Sequence, residues 1–249
     1  MATDTIDIPE LERGIETRGI ERVQPKARAH FLIFDNYTMW FSANMVISTV
    51  ALGAIANSVF GLGFWDSVFA IVIFNVLGAL PVAFFATLGP KLGLRQMTLS
   101  RFSFGWVGAM MMALFNVAAC IGWSTVNVIV GGQLVAALSG GAIPQQVGIL
   151  IIAILTTLFS IYGYNYIHRY ERFAWIPMAI IFFILLLVAA PKLTIIPTPV
   201  LNIAEIASFI SFGGAIYGFS TGWSSYAADY NVNQPEDTPA RSVFWLTFL

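Results

Sequence analysis

CIGWSTVNVIVGGQ, residues 120–133, is the stretch on which the reading of this chain turns. It is mostly apolar, yet it carries Trp123, Asn127 and Gln133 among the glycines Gly122, Gly131 and Gly132. Asn116, Cys120, Trp123, Asn127 and Gly131 follow steps of four, three, four and four residues, so in a helix they share one face. A carboxamide inside an apolar helix needs a partner that hydrocarbon does not supply. Asn127 therefore either bonds a neighbouring helix, with Gly122 and Gly131 allowing close approach, or meets a solute. A tryptophan at the same depth favours the solute, because Trp otherwise collects at membrane interfaces. Gln133 lies off this face and reads as a packing or capping group.

The surroundings of this stretch are those of a membrane protein. The 249 residues are 58% hydrophobic and 10% charged, against roughly 25% charged in soluble proteins. No charged residue occurs from Asn36 to Trp65, Ser67 to Pro90, Phe102 to His168, Phe173 to Pro191 or Ile206 to Ala228. Each block approaches or exceeds the roughly 20 residues that span a bilayer core, and the third holds two spans. A soluble chain of this length has no core large enough to hide so much apolar surface. The expected spans are Tyr37–Phe60, Asp66–Leu88, Phe104–Leu138, Val147–Ile167, Phe173–Ala190 and Glu205–Ala228, with a seventh opening near Ser242. FGLGF, LGPKLGLR, SGGAIPQQ, TIIPTPV and NQPEDTP supply the turns between them.

Basic residues orient the spans. Arg13, Arg18, Arg22, Lys26 and Arg28 precede the first, Lys91, Arg95 and Arg101 follow the second, Arg169 and Arg172 follow the fourth, and Arg241 follows the sixth. Lys192 alone falls on the other side, so the N-terminus is expected in the cytoplasm. Residues 1–35 read as a cytoplasmic tail, partly disordered and without the apolar run of a signal peptide. The basic residues are used for orientation, so the net charge of −1 implies no nucleic-acid partner. The single Cys120 excludes a disulfide framework, and His30 and His168 read as edge or loop residues, so no metal site is assigned.

Two other spans carry polar or small residues at depth. The sixth, SFISFGGAIYGFSTGWSSYAADY, is interrupted by Gly213, Gly214, Gly218 and Gly222, with Trp223 after the last. A discontinuous helix is tolerated in a membrane around a cavity or site. Gly214 to Gly218, GAIYG, also matches a small-residue packing motif. In the first span WFSANMVIS, residues 40–48, places Ser42, Asn44 and Ser48 in the cytoplasmic half. Two deep indoles and one carboxamide, with no full charge, suit a flat, neutral, hydrogen-bonding heteroaromatic solute.

The segments GIETRGIERVQP, MWFSANMVIS, GPKLGLRQMTLSRFSFG, ACIGWSTVNVIVGGQ and GWSSYAADYN together resemble the purine–cytosine permeases of the nucleobase–cation symporter family, from about Ile15 to the end of the chain. The resemblance implies an all-α, leucine-transporter-like fold of two inverted five-helix repeats, with helices one and six broken around a central site. Residues 36–190 would then be the first repeat, and residues 191–249 an outer loop, a broken helix six, an inner loop and the start of helix seven. It further implies that Trp123 and Trp223 sandwich the base, that Asn127 binds its edge, and that Gly222 and Ser42 line the site. Where sodium is used, backbone carbonyls at Ser42 and Met45 would contribute. The family has about twelve helices, so the chain reads as an N-terminal fragment whose missing C-terminal helices would complete the carrier.

The implied activity is uptake of purines or cytosine across the plasma membrane by symport with a proton or sodium ion, with no cofactor. Proton coupling needs a titratable group, and the candidates lie at span edges: Asp35, Glu171, Glu205 and Asp229. Glu171 in HRYERFAW is either part of a solvated charge cluster or a coupling carboxylate at the inner mouth. Uracil, allantoin, hydantoins and thiamine-like bases are the alternative substrates, and a channel or receptor is the alternative class. The spans hold no HExxH, no Ser–His pair at depth and no carboxylate dyad, which argues against an enzyme.

Overall fold

A computed structural model of the chain describes residues 19–28, 34–161, 164–199 and 202–249, with the side chains of 27, 34, 35 and 164–169 outside that description. The readings of residues 1–18, of His30, and of the Asp35, His168 and Arg169 side chains therefore fall outside it. The first expected span is two helices, α1 (Phe34–Asn44) and α2 (Ile47–Ser58), bent by 52°. The second is α3 (Phe64–Ala86), followed by the short α4 (Leu88–Leu92). The third is α5 (Gln96–Leu138), the fourth α6 (Gln145–Ile161) and the fifth α7 (Tyr164–Ala189). The sixth is α8 (Ile203–Gly222), and α9 (Ala240–Phe248) opens the seventh. Phe64–Leu92, Gln96–Leu138, Tyr170–Lys192 and Ile203–Ser225 are long and apolar enough to cross a bilayer, the bent pair adds a fifth crossing, and α6 is a shorter apolar helix.

The structure departs from the sequence reading in four places. Helix α5 starts at Gln96 rather than Phe104, and Gly105 (φ 68°, ψ −175°) kinks it where the long loop had been expected to end. Helix α6 ends at Ile161 and α7 starts at Tyr164, so Glu171 and Arg172 sit within α7 instead of the expected loop. Helix α8 runs without interruption through Gly213, Gly214 and Gly218 and ends at Gly222, so the discontinuity lies after the glycines. Gly214 and Gly218 face open space; it is Gly213 whose missing Cβ makes room for the Phe74 ring.

Glycines set the two closest helix contacts. Helix α3 packs along α8, where a Cβ on the buried Gly78 would lie 2.7 Å from Ser220 Cβ and 3.1 Å from the Tyr217 carbonyl oxygen. Helix α5 packs along α6, where a Cβ on Gly132 would lie 2.8 Å from the Ile149 nitrogen and 3.0 Å from the Gln145 oxygen. Helix α1 packs on α7, and α9 returns to α3. Met39, Trp40, Val82, Ala86, Ala227 and Val243 form one buried cluster, and Ala56, Leu62, Ala70, Phe212 and Ile216 form another.

A polar knot ties the segment before α1 to α4 and to the loop after α8. The Val23 N–H donates to Gly93 O at 2.8 Å, and Arg22 Nε donates to Leu92 O at 2.9 Å. Arg28 is buried, and its guanidinium donates to Pro90 O and Gln234 O. Burial pushes that guanidinium below its ordinary value, with Glu236 opposing and Arg22 adding to the shift. The Gln96 N–H donates to Asp229 Oδ1 at 2.6 Å, joining the start of α5 to the loop after α8. Three distant segments thus satisfy one another's loop carbonyls and amides, as buried polar backbone requires.

Gly132→Ala should drive α5 and α6 apart, because the new methyl meets not only the Ile149 side chain at 2.5 Å but also the backbone of Ile149 and Gln145, which has nowhere to move. The expected cost is about 1–3 kcal/mol, the usual range for overpacking. Gly122→Ala, where nothing lies within 4 Å, should cost nothing. Thermal unfolding of the two variants in detergent makes the comparison.

Candidate functional site

The first span breaks at Met45–Val46 without a glycine or proline. Val46 is extended (φ −129°, ψ 159°), so the helical ladder stops there. Polar side chains occupy the ends of the break. Asn44 Nδ2 donates to Trp40 O at 2.9 Å, and Thr49 Oγ1 donates to Val46 O at 2.6 Å. The Met45 N–H reaches back to Phe41 O at 3.0 Å. Hydrocarbon offers no such bonds, which is why Asn and Thr flank the break.

The sixth span changes course at Trp223. Residues Trp223–Ser225 form a 3-10 turn, and Ser225 Oγ donates to Gly222 O at 3.1 Å. The Trp223 N–H bonds to Ser220 O, an i−3 bond that tightens the helix end.

The two discontinuities meet. Trp40, on α1, and Trp223 touch edge to face, with ring centroids 5.5 Å apart and planes at 83°. Tyr230 meets Trp40 at 5.3 Å and Tyr226 meets Trp223 at 5.2 Å, giving a four-ring cluster. A cavity of about 690 Å³ opens beside it, walled by Trp40, Asn44 and Met45 from the first span, Asn75 from α3, and Ser220 and Trp223 from the end of α8. That volume lies within the ~300–1,000 Å³ typical of small-molecule sites. Its wall is mostly apolar with a few carboxamides and hydroxyls, and the buried Trp40 indole N–H has no protein acceptor among the described residues.

The expected site residues separate into two groups. Trp223 and Met45 line the cavity, and Gly222 adjoins Trp223 with open space where a Cβ would be. Ser42 is buried on α1 within hydrogen-bonding reach of the Glu171 carboxyl on α7. Trp123 and Asn127 do not line the cavity. Trp123 is 38% exposed and meets α8 at Phe219, 5.4 Å between centroids and 75° between planes. Asn127, one turn on, is exposed. The two expected indoles therefore do not face each other as a sandwich; Phe219, which lines the cavity, takes the edge contact with Trp123. Trp40, Asn75 and Ser220 were not singled out from the sequence. Trp40 opens WFSAN and had a visible signal there, and Asn75 stands alone in the apolar run IVIFNVLG.

A family model described as the permease for cytosine/purines, uracil, thiamine and allantoin matches residues 24–249. The purine-cytosine permease fcyB of Emericella nidulans is 44% identical over 239 residues, which cover 96% of this chain and 47% of that protein. The purine-cytosine permease FCY2 of Saccharomyces cerevisiae is 42% identical over 234 residues, covering 92% of this chain and 44% of its own length. The vitamin B6 transporter TPN1 of Saccharomyces cerevisiae is 32% identical over 244 residues, covering 94% and 42%. The chain thus spans somewhat under half the length of these relatives. No solved structure matches it.

The two carboxamides at the ends of this arrangement should respond differently to truncation. Asn36 is buried and its Nδ2 donates to Thr247 Oγ1 at 3.0 Å, tying α1 to α9. Asn36→Ala should lower stability by about 1–3 kcal/mol through the unpaired hydroxyl. Asn127→Ala, on an exposed face, should stay within about 0.5 kcal/mol of the parent. Thermal unfolding of both variants separates a packing role for Asn127 from a ligand role.

Proposed function

The chain belongs to the permease family for cytosine/purines, uracil, thiamine and allantoin, and from that premise we propose that it forms the substrate-holding half of a secondary carrier for purine and cytosine nucleobases. The supporting observation is the cavity between the two helix discontinuities, with the Trp40 and Trp223 rings and the Asn44 amide in its wall. A nucleobase is flat, neutral and edged with donors and acceptors, and such a wall offers ring contact together with in-plane hydrogen bonding. Trp123 and Asn127 present a second ring and amide on the open face of α5. In this reading the C-terminal helices cover that face and close the cage. The carrier resides in the plasma membrane with its N-terminus in the cytoplasm, in line with the distribution of Lys and Arg.

Uptake is coupled to a cation. We assign proton coupling to Glu171, because its carboxyl lies beside Ser42, three residues before the break in the first span. Of the other edge carboxylates, Asp229 already accepts the Gln96 N–H, and Glu205 sits in the first turn of α8. Sodium at the Ser42 and Met45 carbonyls is the competing arrangement. Uptake that collapses with the pH gradient and ignores sodium replacement supports the proton; the opposite result supports sodium. The 32% identity to a vitamin B6 transporter keeps a related heterocycle as a second substrate reading, and competition of pyridoxine against labelled cytosine distinguishes it.

Trp223→Ala in the full-length carrier should abolish measurable uptake at micromolar base while leaving surface expression intact. Loss of one stacking face is expected to cost about 1–3 kcal/mol. Wild-type kinetics in that variant would remove Trp223 from the site. The 249-residue chain expressed alone should insert but accumulate no labelled cytosine, since alternating access needs two repeats moving against each other. Counterflow of labelled base by the full carrier, in place of steady ion current, separates a carrier from a channel.

A further inference from the structure

We propose that Asn75 and Ser220 form a positioning pair that fixes where α8 ends and so how Trp223 is presented to the cavity. The nature of the cavity's occupant rests on the carrier reading above; the pair itself rests on geometry. Asn75 is held on its own helix by donation from Nδ2 to Ile71 O at 2.9 Å. Its Oδ1 accepts the hydroxyl of Ser220, 145 residues away in sequence. A helical serine inside a membrane ordinarily returns its proton to a carbonyl of the preceding turn. Ser220 instead donates across to α3, while its own carbonyl receives the Trp223 N–H. One residue therefore carries the lateral tie on its side chain and the closing bond of the helix on its backbone.

The contact has no slack. Gly78, nearly one turn beyond Asn75, lies so close that a Cβ there would fall 2.7 Å from Ser220 Cβ and 3.2 Å from the Thr221 nitrogen. Asn75, Ser220 and Trp223 all line the cavity. If the lateral tie is cut, nothing in the wall replaces it, because hydrocarbon offers Ser220 no acceptor. The hydroxyl then turns back on its own helix, and the turn that seats Trp223 loses its fixed point. Each residue added to or removed from a helical end rotates the next side chain by roughly 100°, enough to swing an indole out of the wall. Asn75 and Ser220 act through Trp223 and need not touch the solute.

The test uses the full-length carrier with Asn75→Ala, Ser220→Ala and the double variant. Apparent KM for adenine and for cytosine, and maximal rate per carrier at the surface, are measured for each. The two-ring adenine stacks on a seated indole over a larger area than cytosine and loses more when that indole is displaced, so each single variant should raise the adenine KM roughly tenfold and the cytosine KM less. The double variant should match the singles, as expected for one shared interaction. Additive effects, or reduced surface amount with both KM values unchanged, would overturn the pair as a positioning device. A second readout needs no substrate. In a background with Cys120 and every further cysteine of the full-length carrier replaced by serine, Gly222→Cys places a thiol where nothing lies within 4 Å. Its maleimide labelling rate should change several-fold when Asn75→Ala is added, and an unchanged rate overturns the proposal. A labelling change without any nucleobase uptake by the parent would leave the pair standing and remove the carrier reading instead.

Discussion

Inside a bilayer, no solvent stands ready to bond a peptide group that leaves its helix, and the architecture of this chain follows from that constraint. Among the described residues, the apolar helices of the first and sixth spans stop after Asn44 and after Gly222, and at both ends nearby side chains or tightened turns bond the backbone. Asn44 and Thr49 serve the first break, Ser225 and the i−3 bond at Ser220 the second. The two breaks lie against each other through Trp40 and Trp223, so the irregular backbone is gathered around one cavity. Scattered breaks would each have needed their own polar shell.

Helix α3 carries the largest of the interhelix contacts. It packs along α8 on one side and receives α9 on another, and Gly78 allows α8 to approach at backbone distance. Its continuation, α4, lies in the polar knot of Arg22, Val23 and Arg28 with the loop after α8. Arginine supplies several donors to the loop carbonyls there. The apolar contacts of α3 with α8 and the polar knot beyond α3 thus hold the same two segments together.

The chain belongs to a permease family and leaves one face of α5 open. It spans under half of its relatives, and the face of α5 bearing Trp123 and Asn127 lies open. The cavity-lining Trp223 and the open-faced Trp123 approach α8 one turn apart, at Trp223 itself and at Phe219.

By itself the sequence determined the membrane class and the order of the apolar segments, because charge-free blocks and turn residues are local quantities that survive any packing. The family was legible as well, from motifs such as GPKLGLRQMTLSRFSFG. The tertiary structure alone decided where the helices break. Gly213, Gly214 and Gly218 looked like break points but lie in continuous helix, while the first span parts at Met45–Val46 with no glycine or proline at all. Glycine lowers the cost of a break without requiring one; whether a helix stops depends on neighbours that hold the freed groups. Likewise, nothing local in IVIFNVLG says that Asn75 will meet Ser220, because that bond exists only once α3 and α8 lie side by side.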